Sequence, residues 1–280
     1  MDRAPQDRIA DATLRRFGEG LRTTAPLPSL DALAAMNERS VCRSYRPDPV
    51  PEDLFRLLCA TALAAPTKSD LQQADIIRVR APEKRAAINA LLPASPWIPG
   101  APEFLVFCGD GFRFRHLFDR RGVAFANDHL DAFFNAAVDG AIVLATFVQA
   151  AELAGLGSCP ISEIRNHAAT ISRLLELPDR VFPIAGLTLG YPVSKEPMSP
   201  RLGLDATVHV DCYGLEKVDT ALDAYDVRRI RDRPYRRQRN VDRFGTAERY
   251  GWTEDKLRQY SDEQRADFGA FVRSKRFRLD

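Results

Sequence analysis

Residues 135–166 read NAAVDGAIVLATFVQAAELAGLGSCPISEIRN. From Ala136 to Ala154 almost every side chain is apolar or small, and Asp139, Thr146, Gln149 and Glu152 leave no clean solvated face. A helix here is therefore expected to be buried nearly all round. The same polar interruptions argue against a membrane span. Gly155 and Gly157 stop the helix, and CPIS at 159–162 reads as a short extended turn before another helix beginning near Glu163. A helix wrapped on every side sits at the centre of a large core or in the seam between two subunits.

The chain around this stretch has 280 residues, 45% apolar and 28% charged, with a net charge of +2. That is the composition of a globular protein, and its near charge balance argues against nucleic acid as the main partner. Five scattered cysteines, Cys42, Cys59, Cys108, Cys159 and Cys212, lack CxxC or Cys/His spacing, so reduced thiols and no metal site are expected. Residues 1–22 carry both charge signs and no apolar h-region. Neither a signal peptide nor an anchor is expected, and the expected location is cytoplasmic.

In chain order, a weakly amphipathic helix over 9–17 leads through a Gly/Pro/Thr linker to a helix LDALAAMNER announced by Ser29 and Asp31. RSVCRSYRPDPVP follows, with Arg39, Arg43 and Arg46 interleaved with Ser40 and Ser44: either a phosphate grip or a solvated basic loop. A helix from Asp53 breaks into Pro66, Thr67, Lys68, Ser69 and Asp70 before a strand at 76–79, which places a polar loop between two buried elements. EFLVFCGD and RVFPIAGLTLGYP read as strands, 111–130 as a surface or lid segment, and 194–213 as an extended return. His116 and His129 have no partner spacing. From Gly214 the chain becomes arginine-rich, with Arg228, Arg229, Arg231, Arg233, Arg236, Arg237, Arg239 and Arg243, and its end from Trp252 reads as a helix. Such a run suits a solvated helical face, a nucleic-acid stripe or a pocket for an anionic cofactor. GxGxxG, Walker, GxSxG and HExxH motifs are missing, so enzymatic chemistry here would belong to a bound cofactor.

The order and separation of RSVCRSYRPDPVP, APTKSDLQQADIIRV, GLGSCPISEIRN, VFPIAGLTLGYP and SPRL resemble the FMN-dependent nitroreductase family, chiefly its larger oxygen-insensitive nitroreductase and flavin-reductase-P-like members. The resemblance implies an α+β nitroreductase-like fold, a mixed central sheet flanked by helices, in an intertwined homodimer. It divides the chain into an N-terminal arm (1–30), an FMN-binding core (31–212) and an Arg-rich C-terminal extension (213–280). It also implies the site. Arg39, Ser40 and Arg43 would surround the FMN phosphate with Arg201; Pro66, Thr67, Lys68, Ser69, Asp70 and Gln72 would line the ribityl chain and pyrimidine edge. Backbone groups of Pro160, Ile161, Ser162 and Glu163 would lie along the flavin, one N–H near N5. No catalytic side chain and no metal are implied, because hydride passes through flavin N5.

This chain departs from the family pattern in three places. Cys42 lengthens the usual Arg-Ser-x-Arg spacing, so Arg39–Ser40 or Arg43–Ser44 could be the gripping pair; Asp70 stands where Asn is usual, and Ser199 where Lys is frequent. The expected function is NAD(P)H oxidation coupled by a ping-pong cycle to nitroaromatic, quinone or flavin acceptors, with one of Arg231 to Arg239 meeting the 2′-phosphate if NADPH is the reductant. The alternatives are a non-catalytic FMN reservoir or sensor, dehalogenation or flavin fragmentation on the same scaffold, and nucleic-acid binding by the tail.

Overall fold

The computed structural model describes residues 3–280. Along them run α1 (Pro5–Phe17), α2 (Leu30–Glu38), α3 (Glu52–Leu63), β1 (Ala74–Arg78), α4 (Pro82–Leu91), β2 (Glu103–Asp110), α5 (Phe112–Arg121), α6 (Leu130–Leu153), β3 (Gly157–Ile161), α7 (Ala168–Leu174), β4 (Val181–Gly190), α8 (Val218–Asp232), α9 (Val241–Phe244), α10 (Trp252–Tyr260) and α11 (Phe268–Ser274). Two compact units emerge: residues 41–195 with 265–280, and residues 3–40 with 196–264.

The larger unit is an α+β assembly around a sheet of order β1-β2-β4-β3. The sheet was expected to be mixed; every pairing in it is antiparallel. β2 and β3 run in the same direction, as do β1 and β4, but β4 separates the first pair and β2 the second, so no co-directional strands touch. β2 is buried along its whole length, as its continuous apolar run requires. Pro160 sits inside β3, which the sequence presents as a turn. A strand tolerates this proline because β3 is an edge strand and needs ladder bonds on one side only. The helix expected from Glu163 opens instead as a 3-10 turn, Ser162–His167, and becomes α-helical in α7.

α6 lies on this sheet. Ala136, Asp139, Gly140, Val143, Phe147, Val148 and Ala151 form its buried face. The Phe147 ring stands 5.5 Å from Phe107 of β2 and 6.4 Å from Phe55 of α3. Burying one such ring is worth about 1.5–3 kcal/mol. Gly140 sets the spacing of helix and sheet, because a Cβ there would meet Ile184 Cδ1 at 2.2 Å and the Cys108 carbonyl oxygen at 2.9 Å. The helix is not wrapped all round within this chain: Phe134, Val138, Ala141 and Ala145 are exposed. Its length and mean hydropathy are those of a bilayer-crossing helix, but its buried face carries a carboxylate, Asp139, that is bonded into the neighbouring loop.

In the smaller unit α1 packs on α2, and α8 on α10. Asp226 of α8 caps α10 by accepting from the Trp252 and Thr253 amides at 2.6 and 3.0 Å. The single terminal helix expected from Trp252 is two helices, α10 and α11, interrupted around Arg265, whose φ is +59°. The segment 194–213 is irregular, with a 3-10 turn at Leu204–Ala206.

Replacing Gly140 by Val should destabilise the protein by about 1–3 kcal/mol, because neither a strand carbonyl nor the sheet behind it can yield to the new methyls. A urea midpoint equal to that of the parent would mean that α6 does not seat this closely.

Candidate active site

The loop expected along the flavin is built on one carboxylate. Asp139, 2% exposed on the inner face of α6, accepts hydrogen bonds from the Lys68 amide at 3.0 Å, the Gln73 amide at 3.1 Å and the Thr67 hydroxyl. Thr67 Oγ1 in turn accepts from the Gln72 amide at 2.8 Å. Ser69, Asp70 and Gln72, all non-glycine residues, sit in the left-handed region with φ of +49°, +57° and +53°. Each such residue costs on the order of 1 kcal/mol, so the turn persists only because its surroundings dictate it. Asp70 accepts from the Gln72 side-chain amide at 3.1 Å, which gives it a local structural task at the position where Asn is usual. Pro66, Thr67, Gln72 and Gln73 line a cleft of about 270 Å³ with Asp139 and Arg113, and Lys68, Ser69 and Gln73 line a second of about 290 Å³ with Phe114 and Phe125. Gln73 is 5% exposed and its side-chain Oε1 has no partner among the described residues, although it borders both clefts.

Pro160, Ile161, Ser162 and Glu163 run off the end of edge strand β3, with Pro160 and Ser162 exposed and Ile161 buried. Glu163 accepts from the Ser95 hydroxyl at 2.8 Å, and the Arg43 guanidinium lies 4.9 Å from the centre of the Trp97 ring. The 95–97 turn thus engages both Glu163 and Arg43. Cys42 is buried against Gly157, and its amide donates to the Ser158 carbonyl at 2.9 Å. The extra residue in the Arg-Ser spacing is therefore used to add a backbone bond to the edge of β3.

Asp75 and Arg113 also line the first cleft; Asp110 caps α5 by accepting from the Phe112 and Arg113 amides at 2.6 and 3.0 Å, and the Arg113 guanidinium reaches Asp75 at 2.6 Å and Asp110 at 2.9 Å. Burial, then the hydrogen bond with Asp75, push the Asp110 carboxyl up to about 6. The 111–130 segment forms α5 and an aromatic cluster in which the Phe114 and Phe118 rings lie 5.1 Å apart and Phe125 stands 5.6 Å from Phe114. Its histidines have structural roles: His116 stacks on Phe112 at 5.4 Å, and His129 caps α6 by accepting from the Asp131 amide at 3.3 Å.

Within the smaller unit, Arg39 and Ser40 follow α2 directly, and Arg201 lies on the 197–201 loop; both segments are joined by Arg16, from the presumed arm. Most arginines of the tail are engaged. Arg231 pairs with Asp232, Arg239 with Asp255 and Arg243 with Asp262, and Arg233 donates to the Ser199 hydroxyl at 2.6 Å and the Pro197 carbonyl at 2.7 Å. Arg236 and Arg237 are exposed and make no side-chain hydrogen bond or ion pair among the described residues.

The profile described as Nitroreductase family matches residues 36–191, more than half of the chain, and that described as Nitroreductase family, C-terminal domain matches residues 199–280. The chain belongs to the nitroreductase family. Among its relatives is an FMN reductase (NAD(P)H) of Bacillus subtilis (strain 168), 32% identical over 206 residues, 70% of this chain and 80% of the relative. An FMN reductase (NADPH) of the same organism is 30% identical over 246 residues, 86% and 96% of the two chains. The solved structure of B. megaterium NfrA2 superposes with a TM-score of 0.80 at 26% identity, covering 89% of this chain and 99% of that one. This nitroreductase fold is the one implied by the motif order, with the sheet antiparallel rather than mixed.

Sequence reasoning missed Asp139, Ser95, Trp97 and Gln73 as parts of this region. Only Asp139 left a signal, a lone carboxylate in an apolar helical run. Asp139→Ala should cost about 2–4 kcal/mol and speed hydrogen exchange at the Lys68 and Gln73 amides, since three donors lose a charged acceptor. Unchanged exchange at both amides would mean that the loop is held otherwise. A second outcome concerns pH. The folded chain keeps its proton on Asp110 to about pH 6 whereas the unfolded carboxyl releases it near 3.8, so this group's contribution to stability falls as pH rises through that window. Asp110→Asn should flatten that part of the stability profile; parallel profiles for parent and variant would overturn it.

Proposed function

We propose that the chain is an FMN-dependent NAD(P)H oxidoreductase that reduces nitroaromatic, quinone or flavin acceptors by a ping-pong cycle. The observation that carries this reading is the Asp139-held turn: a strained polar loop kept beside two clefts, in a chain that aligns with an FMN reductase over 86% of its length. The donor set suits FMN. Arginines and a hydroxyl at Arg39, Ser40, Arg43 and Arg201 match a phosphate dianion, and the main-chain groups of Pro66, Thr67, Lys68, Ser69, Asp70 and Gln72 match a polar ring edge. The buried, unpartnered Gln73 oxygen marks a place for a donor from the ligand or from bound water. Bound FMN supplies hydride chemistry at N5. The chain's residues bind, orient and shield it: Pro160, Ile161, Ser162 and Glu163 form a backbone wall at the end of β3, Lys68 adds positive charge by the pyrimidine, and Phe114 and Phe125 border the neighbouring cleft.

The exposed apolar stripe of α6, with Leu57 and Leu63 exposed on α3, supports assembly as a homodimer, and sedimentation at monomer mass would overturn it. The place of action is the cytoplasm, with 1–30, 31–212 and 213–280 as arm, core and extension. Arg236 and Arg237, whose guanidinium groups have no hydrogen-bond or ion-pair partner among the described residues, are the arginines we assign to the nucleotide 2′-phosphate.

The purified protein is expected to be yellow, to release FMN on denaturation, and to be bleached by NADPH without an acceptor. A protein that takes up FMN but is not reduced by either nicotinamide would be a flavin reservoir, and a colourless one that ignores added FMN would sink the reading altogether. Replacing Arg236 and Arg237 together by Ala should raise KM for NADPH by about tenfold or more and leave that for NADH within about twofold, as loss of a charged phosphate contact requires.

A further inference from the structure

Arg16 lies on α1, ahead of the region matched by the family profile, yet it is 7% exposed and its guanidinium fork serves three main-chain carbonyls. Nε donates to Asn37 at 2.6 Å, one terminal nitrogen donates to Arg39, and the other donates to Ser199 at 3.3 Å. The Arg16 carbonyl oxygen in turn accepts from the Arg201 amide at 2.6 Å. One residue thus holds the end of α2 and the 197–201 loop, which stand 183 positions away in sequence for the Ser199 contact. Around it, Arg8 forms a two-bond pair with Glu38 at 2.7 and 3.1 Å, and Tyr225 and Arg228 donate to the Pro200 and Arg201 carbonyls at 3.1 and 2.8 Å. The carbonyls of both segments are drawn into the unit, while the exposed Arg201 side chain folds back on its own loop, donating through one terminal nitrogen to the Pro200 and Ser199 carbonyls at 3.0 and 3.4 Å.

We propose that Arg16 is a positioning residue for the flavin phosphate: it sets the spacing between Arg39–Ser40 and Arg201. This rests on the reading of Arg39, Ser40 and Arg201 as phosphate contacts. A dianion is gripped well only when its donors are fixed beforehand, because ordering flexible arginines on binding consumes part of the interaction. A guanidinium suits this task, having five donors in a rigid plane; an ammonium at the same place has a shorter reach and no fork. The N-terminal helix is then part of the cofactor grip.

The test uses full-length apoprotein, prepared by removing FMN, and compares FMN with riboflavin, which has the same ring and no phosphate. Arg16→Lys and Arg16→Gln should each weaken FMN by about tenfold or more while leaving riboflavin within about twofold, with an unchanged flavin spectrum. Arg39→Ala and Arg201→Ala are the reference variants. If neither of them discriminates FMN from riboflavin, the phosphate assignment itself fails, and this inference with it. If they discriminate and both Arg16 variants bind FMN like the parent, Arg16 does not position the phosphate contacts. Parallel loss of both flavins, or loss of the fold, in the Arg16 variants makes it a stability residue only and likewise overturns the proposal.

Discussion

A single buried carboxylate ties the sheet-covering helix to the loop beside it. Asp139 sits within an apolar run on α6, where an unpaired charge would be prohibitively costly. It is retained because three donors, from Thr67, Lys68 and Gln73, converge on it. The next residue, Gly140, lets the same helical turn approach the Cys108 carbonyl of β2. Helix position, sheet packing and loop conformation are thus coupled within two residues. The left-handed backbone at Ser69, Asp70 and Gln72 is the strain that this anchoring offsets.

Irregular segments in the smaller unit are organised differently, by arginines that donate to main-chain carbonyls. Arg16 serves α2 and the 197–201 loop, Arg228 and Arg233 serve that loop again, and Arg258 donates to the Arg239 and Gly245 carbonyls at 3.0 and 2.8 Å. Such segments have no ladder to satisfy their carbonyls, and a planar side chain with five donors can satisfy several at once. A charge-dense tail is accordingly mostly framework. Arg236 and Arg237 are the exceptions: among the described residues their guanidinium groups have no hydrogen-bond or ion-pair partner, unlike the arginines whose charge is used internally.

Local pattern and tertiary context divide the chain unevenly. The strands at 103–110 and 181–190 were legible because a continuous apolar run between turn residues has few other solutions, and α2, α3 and the Pro66–Asp70 break were legible from proline and acidic residues at their ends. The strand at 157–161 was not, since Pro160 reads as a breaker until its strand is known to be an edge. The division of the terminal helix into α10 and α11 was hidden too: nothing in DEQRADF forbids a helix, and Arg265 turns left-handed without a glycine.

The sequence by itself determined the family, the principal strands and helices at 30–63, 103–110, 130–153 and 181–190, and which loops carry polar groups, because these follow from short-range propensity and from the spacing of motifs. Only the tertiary structure decided that β4 separates β2 from β3, that one face of α6 is left exposed, that Asp139 anchors the loop at 67–73, and that Arg16 joins the two arginine segments. The strand order and the two anchors are pairings of groups far apart in the chain, 72 positions for Thr67 and Asp139 and 183 for Arg16 and Ser199. Their partners are chosen by burial and hydrogen-bond satisfaction, which no local pattern encodes.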